Sequence, residues 1–386
     1  MKTTGLKNLN DLNDTILLQD YVEKSAKTDK FSDEYLCPIL LGLYGEVGSI
    51  MAASKKYRRE GNAYPSYKEE VEEEFGDALW YLSALCKRMN IEMAELFELV
   101  SRETRIKIIS ANNDVNTPNS QAISTEQVDR LESSLIELGY VVAQILKIKK
   151  DSPNVRGILK DFVRQYLKAI QITDLSFDNV LNRNLTKICG RFLYQDKDKL
   201  PDFDKNFPKN EQLPRQFKIH INQQESGRSQ LCWNGKIIGS PLSDNISEPD
   251  GYRFHDVFHL ANASILHWSP TFRALIKRKR KSDPNFDEEQ DGGRAIAIEE
   301  GLSAWLFSYS KGLNYFQGHD SISFDALKTI QKFVQGFEVD QCPLKLWEDA
   351  ILQGYEVFRQ VKKHNGGIII GNRENRTIEY RPLVEK

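Results

Sequence analysis

The sequence lacks the features that mark secreted and disulfide-stabilised proteins. Its cysteines are few and odd in number, and none of them has a paired spacing. They are Cys37, Cys86, Cys189, Cys232 and Cys342. Scattered thiols of this kind argue against a disulfide framework and against a zinc ribbon. The N-terminus, MKTTGLKNLNDLND, is polar and has no apolar core of a signal peptide. We therefore expect a cytoplasmic protein.

Long hydrophobic runs and an excess of charge are also missing. No apolar stretch approaches the length needed to span a bilayer, so we expect no membrane partner. The net charge of -2 gives no general reason to bind nucleic acid. The one basic run, RALIKRKRKSDP (Arg273–Pro284), is followed at once by acidic DEEQD, and we interpret it as a solvated helix end. A Gly-rich phosphate loop, a Gly-x-Ser-x-Gly elbow and a Cys-x-x-Cys pair are absent, which argues against the enzyme classes they mark.

Three segments of the chain differ in their residue patterns, as expected for a length that exceeds one typical core. Residues 12–110 and 128–194 have the apolar periodicity of helices, and the polar stretch 110–127 between them indicates a linker. A charged stretch with three prolines, 195–215, precedes the last segment, 215–386. We therefore predict two helical modules followed by a further domain.

Strand patterns begin only in the last segment. FKIHI alternates with period two, and LCWNGKII places Asn234 and Gly235 between two apolar runs, which is a strong hairpin signal. Helical patterns resume at Tyr252, and GGIIIGNRENRTIEYRP indicates a closing hairpin. The predicted fold is mainly α, with an α+β domain at the C-terminal end.

The two helical segments align as copies of one unit. LLGLYGEVGSIMAASKK aligns with LIELGYVVAQILKIKKD, which places Gly45 opposite Gly139, and EEFGDALWYLSAL falls opposite GILKDFVRQYLKAI. We interpret this as a duplication, although chance similarity between amphipathic helices is the alternative. The second copy has Tyr140 opposite Glu46 and keeps only Asp161 among its acidic positions. The second copy is therefore degenerate at the positions where chemistry would be expected.

The first copy carries carboxylates on otherwise apolar helices. Glu46 is a lone acid in LGLYGEVGSIMAAS. In EEVEEEFGDALWYL, Glu74 and Asp77 are three residues apart and lie side by side at the edge of an apolar helix face. Solvated glutamates do not require such positions, whereas metal ligands do. The pattern favours a metal site between two helices.

Together, the stretches LQDYVEKSAKT, GLYGEVGSIMAASKK and EEEFGDALWYLSAL resemble the MazG-type all-α nucleoside triphosphate pyrophosphohydrolases. NRNLTKICGRF in the second copy also resembles the closing helix of that family. The resemblance covers residues 15–110 well and 128–194 weakly. It implies a tandem, MazG-like pseudo-dimer that binds Mg²⁺ and cuts a nucleoside triphosphate to a monophosphate and pyrophosphate. A homodimer is a further expectation.

Applied to this sequence, the resemblance implies that Glu46, Glu74 and Asp77 bind magnesium, which prefers hard oxygen ligands. Glu73 is a fourth ligand or a base that orients the attacking water. The sequence departs from the family pattern at Ser49, which replaces the second glutamate of the first helix. This change could leave fewer bound metals, a slower enzyme, or a site that binds nucleotide without cutting it.

Two groups of polar residues are candidate contacts to the substrate. The first group follows Glu46 in SKKYRRE and could hold phosphate oxygens, although a solvated helix end is the open alternative. Its members are Lys55, Lys56 and Arg59. In the second group, Asn184, Lys187 and Arg191 share one helix face. The resemblance implies that this group touches phosphate or ribose rather than metal.

The last segment contains a second constellation, GYRFHDVFHLANASILHW. His255 and His259 are four residues apart on a predicted helix, with Asp256 between them, and this resembles the zinc-binding His-Glu-x-x-His arrangement. A third ligand could come from Glu299 or Glu300 in GGRAIAIEEGLSAW. The alternative is that these histidines are buried groups of a structural core.

Three functions therefore compete. The first, which we favour, is a magnesium-dependent nucleoside triphosphate pyrophosphohydrolase. The second is a metallohydrolase centred on His255 and His259, with Zn²⁺ or a similar second metal. The third is a non-catalytic nucleotide sensor, which Ser49 and the degenerate copy suggest.

Overall fold

The computed structural model describes residues 18–104 and 125–383. Helices dominate these ranges, and a five-stranded antiparallel sheet lies in the C-terminal half. The predicted fold, mainly α with an α+β C-terminal part, is confirmed at this level. The chain divides into two compact units between Leu193 and Tyr194, called unit 1 and unit 2 below. The predicted module ends at 12 and 110, and nearly all of the linker 110–127, lie outside the described residues.

Unit 1 consists of helices that pack in pairs. The helices are α1 (Leu18–Ala26), α2 (Cys37–Glu60), α3 (Tyr67–Arg88), α4 (Met93–Thr104), α5 (Thr125–Ile145), α6 (Val155–Ile172) and α7 (Phe177–Phe192). Helix α2 packs on α3, and α5 packs on α6. Helix α2 also contacts α5, while α3 contacts α7. These contacts bury the apolar stripe of each helix in one continuous core.

Helix α2 shows how the sequence specifies this packing. Its buried side chains recur every three or four residues, which places them on one face. They are Ile39, Leu40, Leu43, Val47, Ile50, Ala53 and Ser54. A proline in the first turn starts the helix, and Gly61 ends it at φ 54°, a conformation that glycine adopts without strain. The partly buried Glu46 lies at the edge of the buried face.

Helix α2 contradicts the expectation that no apolar stretch is long enough to span a membrane. Within the described residues, Cys37–Ala63 is long enough to cross a membrane and contains an 18-residue window with a mean hydropathy of 1.3. The expectation that no stretch approaches this length was therefore wrong. Because α2 packs against α3 and α5 and carries a carboxylate, we interpret it as a core helix of a soluble unit.

Unit 2 contains the sheet, which has the strand order β3-β2-β1-β4-β5. The strands are β1 (Gln216–Gln223), β2 (Ser229–Trp233), β3 (Lys236–Leu242), β4 (Gly366–Asn372) and β5 (Thr377–Arg381). Asn234 and Gly235 form the turn between β2 and β3, with φ values of 50° and 75°. Strands β4 and β5 pair as the closing hairpin. Both predicted hairpins are thus confirmed.

Helices complete unit 2. They are α8 (Asp256–Ile265), α9 (Pro270–Leu275), α10 (Pro284–Glu289), α11 (Gly293–Lys311), α12 (Phe324–Val334) and α13 (Leu344–His364). Helices α8 and α13 pack on each other and on strands β4 and β5. Gly354 of α13 is 3.0 Å from the Ala261 methyl group, measured from an ideal Cβ, so the two helices touch closely. Because it is enclosed in this way, α8 is buried along most of its length.

The basic run of unit 2 is not a solvated helix end, so that interpretation was wrong. Arg273 and Arg280 are 1% and 0% exposed. An Nη of Arg273 lies 2.6 Å from an Asp204 carboxylate oxygen. Arg280 contacts Asp291 at 2.7 Å and Glu338 at 2.6 Å. Buried guanidinium groups require such carboxylate partners. Asp291 lies at the end of the acidic stretch that follows the basic run, whereas Asp204 and Glu338 are remote in sequence.

The prolines and charges of residues 195–215 belong to the fold of unit 2. The Asp204 carboxylate accepts hydrogen bonds from the Leu213 amide at 2.6 Å and from Arg373 at 2.9 Å. Arg376 donates to the Pro201 carbonyl oxygen at 2.6 Å. Composition indicates an exposed boundary in this stretch, whereas the structure ties it to unit 2 by buried polar contacts.

Candidate active site

Three carboxylates from two helices converge in unit 1. Glu46 comes from α2, and Glu74 and Asp77 come from one edge of α3. One carboxylate oxygen from each residue lies within 4.8 Å of the others, and all three side chains are partly buried. Anions held so close and partly shielded from water repel one another unless a cation or proton is added. The three residues are called the acidic cluster below.

The pKa values in the acidic cluster reflect this repulsion. Burial raises the pKa of Glu46 to about 8, with further contributions from the Asp77 charge and from a hydrogen bond with Glu74. Burial also raises the pKa of Glu74. The cluster therefore holds a proton near neutral pH when only protein atoms are present. A divalent cation would supply the missing positive charge, and carboxylate oxygens on facing helices suit magnesium.

Helix α7 closes one side of the acidic cluster. Asn184 donates from Nδ2 to Asp77 Oδ1 at 2.9 Å and accepts a hydrogen bond from the Tyr21 hydroxyl at 2.7 Å. Lys187 Nζ lies 2.6 Å from Glu73 Oε1 and also contacts Asp77. Burial opposes the charge of Lys187, but Asp77 and Glu73 outweigh it and raise its pKa. The second helical segment thus contributes to the surroundings of the acidic cluster.

Gly76 makes this contact between α3 and α7 feasible. A Cβ atom at position 76 would lie 2.7 Å from the Asn184 Cβ, which is closer than van der Waals contact allows. The two helices therefore approach each other at a residue without a side chain. The glycine of EEFGDAL thus has a packing role, since it brings the Asn184 amide within hydrogen-bonding distance of Asp77.

The basic residues at the end of α2 have other neighbours. Lys55 is exposed. Lys56 Nζ lies 3.7 Å from the centre of the Tyr64 ring, and Arg59 pairs with the adjacent Glu60. The contacts described here do not join these three predicted phosphate contacts to the acidic cluster. These three residues could therefore bind phosphate only if a bound triphosphate extends from the acidic cluster to the end of α2.

Two other predicted residues lie one helix turn from Glu46 and from Lys187, respectively. Ser49 follows Glu46 on the same side of α2 and is partly buried. Arg191 follows Lys187 on α7, and its guanidinium carbon is 5.3 Å from the centre of the Phe192 ring. Both residues lie near the acidic cluster by helix geometry.

Sequence analysis missed two tyrosines beside the acidic cluster. Tyr21 is fully buried and holds the Asn184 amide. Burial raises the pKa of Tyr81, and the charges of Glu46 and Asp77 raise it further. The spacing of four residues after Asp77 could have indicated Tyr81. Tyr21 gives no such signal, because a buried tyrosine of α1 looks like an ordinary core residue.

In unit 2 the structure brings together all five predicted residues of the second constellation. His255, Asp256 and His259 each offer a ligand atom within 4.8 Å of the others. His259 Nδ1 lies 3.1 Å from Glu299 Oε1, and His259 Nε2 lies 3.3 Å from Glu300 Oε1. These residues, from α8, the residue before it, and α11, are called the histidine cluster below.

Comparison with known proteins gives a family match that falls on unit 2. A family model described as the MazG C-terminal domain matches residues 198–384. This match supports a MazG-related protein. No curated protein and no solved structure matches the chain. The family match does not extend into unit 1, where the resemblance to MazG-type enzymes is carried by the sequence motifs.

Proposed function

We propose that the protein is a magnesium-dependent nucleoside triphosphate pyrophosphohydrolase, which hydrolyses a ribo- or deoxyribonucleoside triphosphate to a monophosphate and pyrophosphate. The observation that carries the proposal is the convergence of Glu46, Glu74 and Asp77 in unit 1. The MazG-related match in unit 2 supports a nucleotide-related function. The motifs of unit 1 resemble those of enzymes with this reaction.

Each residue of the site has a distinct role in the proposal. Glu46, Glu74 and Asp77 would hold magnesium through carboxylate oxygens. Bound magnesium would neutralise the triphosphate and increase the acidity of a water molecule. Glu73, which pairs with Lys187, would be the base that orients the attacking water or a fourth ligand.

We further propose that residues 128–194 are a degenerate copy of residues 12–110 and complete the site as in a pseudo-dimer. The pairing of α5 with α6 resembles that of α2 with α3, and α2 also packs on α5. The second copy supplies Asn184 and Lys187 beside Asp77. The remaining candidate contacts to phosphate or ribose are Arg191, Lys55, Lys56 and Arg59.

The proposed setting is the cytoplasm, with the nucleoside triphosphate as the partner and no nucleic acid or membrane. All five cysteines lie in the described residues and are free thiols, which supports a reducing compartment. Large apolar side chains are exposed on α2 at Leu41 and Tyr44, and on α5 at Ile136 and Tyr140. These side chains support a homodimer that covers part of the surface of unit 1.

A panel of nucleoside triphosphates, assayed for pyrophosphate release with and without magnesium, tests the proposal on the full chain. We expect release only with magnesium, and its loss in Asp77→Asn. Asp161→Asn is the matched control, because Asp161 occupies the corresponding position in the second copy and pairs with Arg164 at the surface. Nucleotide binding without turnover would favour the sensor function that Ser49 suggests. If Asp77→Asn and Asp161→Asn had equal activity, the proposed magnesium site would be contradicted.

A further inference from the structure

In unit 2, His255 is held in an orientation that suits a metal ligand. Its Nδ1 lies 2.8 Å from the Tyr252 carbonyl oxygen, so Nδ1 donates its proton there, and Nε2 is the nitrogen that can bind a metal when the ring is neutral. The Tyr252 ring stacks on the imidazole at a centroid distance of 4.3 Å and an angle of 10°. A ring N–H bound to a backbone carbonyl is the usual support of a metal-binding histidine.

His259 is buried without a well-formed hydrogen bond. Its side chain is 1% exposed. Nδ1 lies near Glu299 and Nε2 near Glu300, yet neither approach has the alignment of a hydrogen bond. Buried polar atoms nearly always have a partner. A ligand between His259 and Glu300 would supply one.

The Glu300 carboxylate lies between the two histidines at distances that fit a shared metal ion. Oε2 is 3.4 Å from His255 Nε2, and Oε1 is 3.3 Å from His259 Nε2. Charge-assisted hydrogen bonds are shorter, about 2.7–2.9 Å. Two ligands on a tetrahedral ion, each bound at 2.0–2.1 Å, lie about 3.3–3.4 Å apart. The spacing therefore corresponds to two ligands of one ion.

Glu299 supports His259 and is not itself one of the proposed metal ligands. It is fully buried, and its Oε2 accepts hydrogen bonds from the Ser269 hydroxyl at 3.1 Å and the Thr271 amide at 3.0 Å. Its Oε1 accepts one from Asn262 at 3.1 Å and faces His259 Nδ1. A carboxylate held by its own donors and facing the far nitrogen of a histidine is a typical support for a metal ligand.

We propose that His255 Nε2, His259 Nε2, Glu300 and Asp256 form a binding site for one Zn²⁺ ion in unit 2. Imidazole nitrogens favour zinc over magnesium, and two neutral imidazoles with two carboxylates balance the charge of the ion. The Glu300 side chain is 39% exposed, so an ion can reach the site from solvent. This proposal does not depend on pyrophosphohydrolase activity in unit 1.

The test is a zinc titration of the full chain after removal of metals by a chelator. Wild type should bind one equivalent, whereas His259→Gln and Glu300→Gln should bind roughly 100-fold more weakly or not at all. His319→Gln is the control, since His319 is exposed and lies outside the histidine cluster. With Co²⁺ in place of zinc, wild type should show the visible absorption of a four-coordinate ion.

Asp77→Asn separates this proposal from that for unit 1, because the variant should lose magnesium-dependent activity and keep one equivalent of zinc. Circular dichroism shows whether each variant is folded, and the partly exposed Glu300 is the substitution least disruptive to the core. The proposal is overturned if folded Glu300→Gln binds zinc as tightly as wild type. It is also overturned if zinc binding is lost in Asp77→Asn and kept in His259→Gln, or if wild type binds none.

Discussion

The two units gather buried charge in different ways. The acidic cluster of unit 1 contains only carboxylates, and Lys187 from α7 pairs with one of them, Asp77. The histidine cluster of unit 2 mixes imidazoles with carboxylates, and His259 is almost fully enclosed. Oxygen ligands favour magnesium, which retains several waters, whereas nitrogen ligands favour zinc and similar ions. The two clusters thus differ in the metal that their side chains would favour.

The charge balance differs as well. In unit 1, negative charge exceeds positive charge, and the pKa of Glu46 is raised to about 8, first by burial and then by its acidic neighbours. In unit 2, burial opposes ionisation of Glu300, yet His255 and His259 hold its pKa below the usual range. Burial likewise opposes the charge of His259, but Glu299 and Glu300 raise its pKa well above the ordinary value. In the acidic cluster, the single contact from Lys187 leaves an excess of negative charge, whereas in the histidine cluster the imidazoles and carboxylates offset each other.

The largest expected effect is a loss of activity from a substitution in the acidic cluster that leaves the histidine cluster unchanged. Glu74→Gln should reduce magnesium-dependent pyrophosphate release by at least about 100-fold, because it removes a ligand charge from the proposed metal. Zinc bound to unit 2 should be unchanged, as measured by metal analysis of the same sample. Glu72→Gln is the control, because Glu72 lies on α3 like Glu74 but pairs with Arg183 of α7. Equal losses of pyrophosphate release in Glu74→Gln and Glu72→Gln would show that the total negative charge of α3, rather than the acidic cluster, determines activity.

A smaller effect is expected from the cation of unit 1. Lys187→Ala should raise KM about tenfold with a modest change in kcat, because Lys187 would contact substrate rather than metal. The double variant with Arg191→Ala should extend this effect. Arg183→Ala, one turn earlier on α7, is the matched control. A fall in kcat at constant KM would instead show that Lys187 acts by orienting Asp77.

The departure from the family pattern allows a third test. Ser49→Glu should tighten magnesium binding a few-fold, since it adds a carboxylate one turn after Glu46. Magnesium titrations of activity measure this, and Ser49→Gln controls for size. Reduced turnover with unchanged metal dependence would show that the site has adapted to serine, and unit 1 would then differ in mechanism from the enzymes that its motifs resemble.

The smallest effect concerns pH and the metal-free chain. The pKa of Glu46 is raised from 4.5 to about 8 in the folded state, so the folded chain binds a proton more tightly than the unfolded one. Its contribution to stability is therefore present below pH 4.5 and is lost as the pH rises towards 8. The unfolding free energy, measured by denaturant titration, should fall less with pH in Glu46→Gln than in wild type. Parallel curves would contradict the assigned pKa.

Local patterns in the sequence predicted the features that depend on spacing along one element. Helix periodicity placed Glu74 and Asp77 on one edge of α3 and His255 beside His259, and the structure brings each set together. Alternation and the Asn234–Gly235 pair predicted the hairpin. Metal binding at either cluster stays a prediction.

Other features depend on residues that are distant in sequence, and local patterns carry no information about them. Lys187 meets Glu73 across more than a hundred residues, and Asn184 fits because Gly76 has no side chain. Arg280 looks like part of a solvated basic run, yet it is fully buried and pairs with the distant Glu338 as well as with the nearby Asp291. These contacts are set by the packing of helices, which periodicity along one element does not specify.

The buried Asp204 limits where the chain can be divided for recombinant work. It is 1% exposed and pairs with Arg273 and Arg373. A fragment that begins at 215, where the strand pattern starts, would leave both guanidinium groups without this partner. Unpaired buried charge costs about 3–5 kcal/mol, a large part of the stability of an ordinary domain. Expression of unit 2 alone therefore requires the twenty or so residues ahead of its first strand, including those that composition alone would assign to a dispensable spacer.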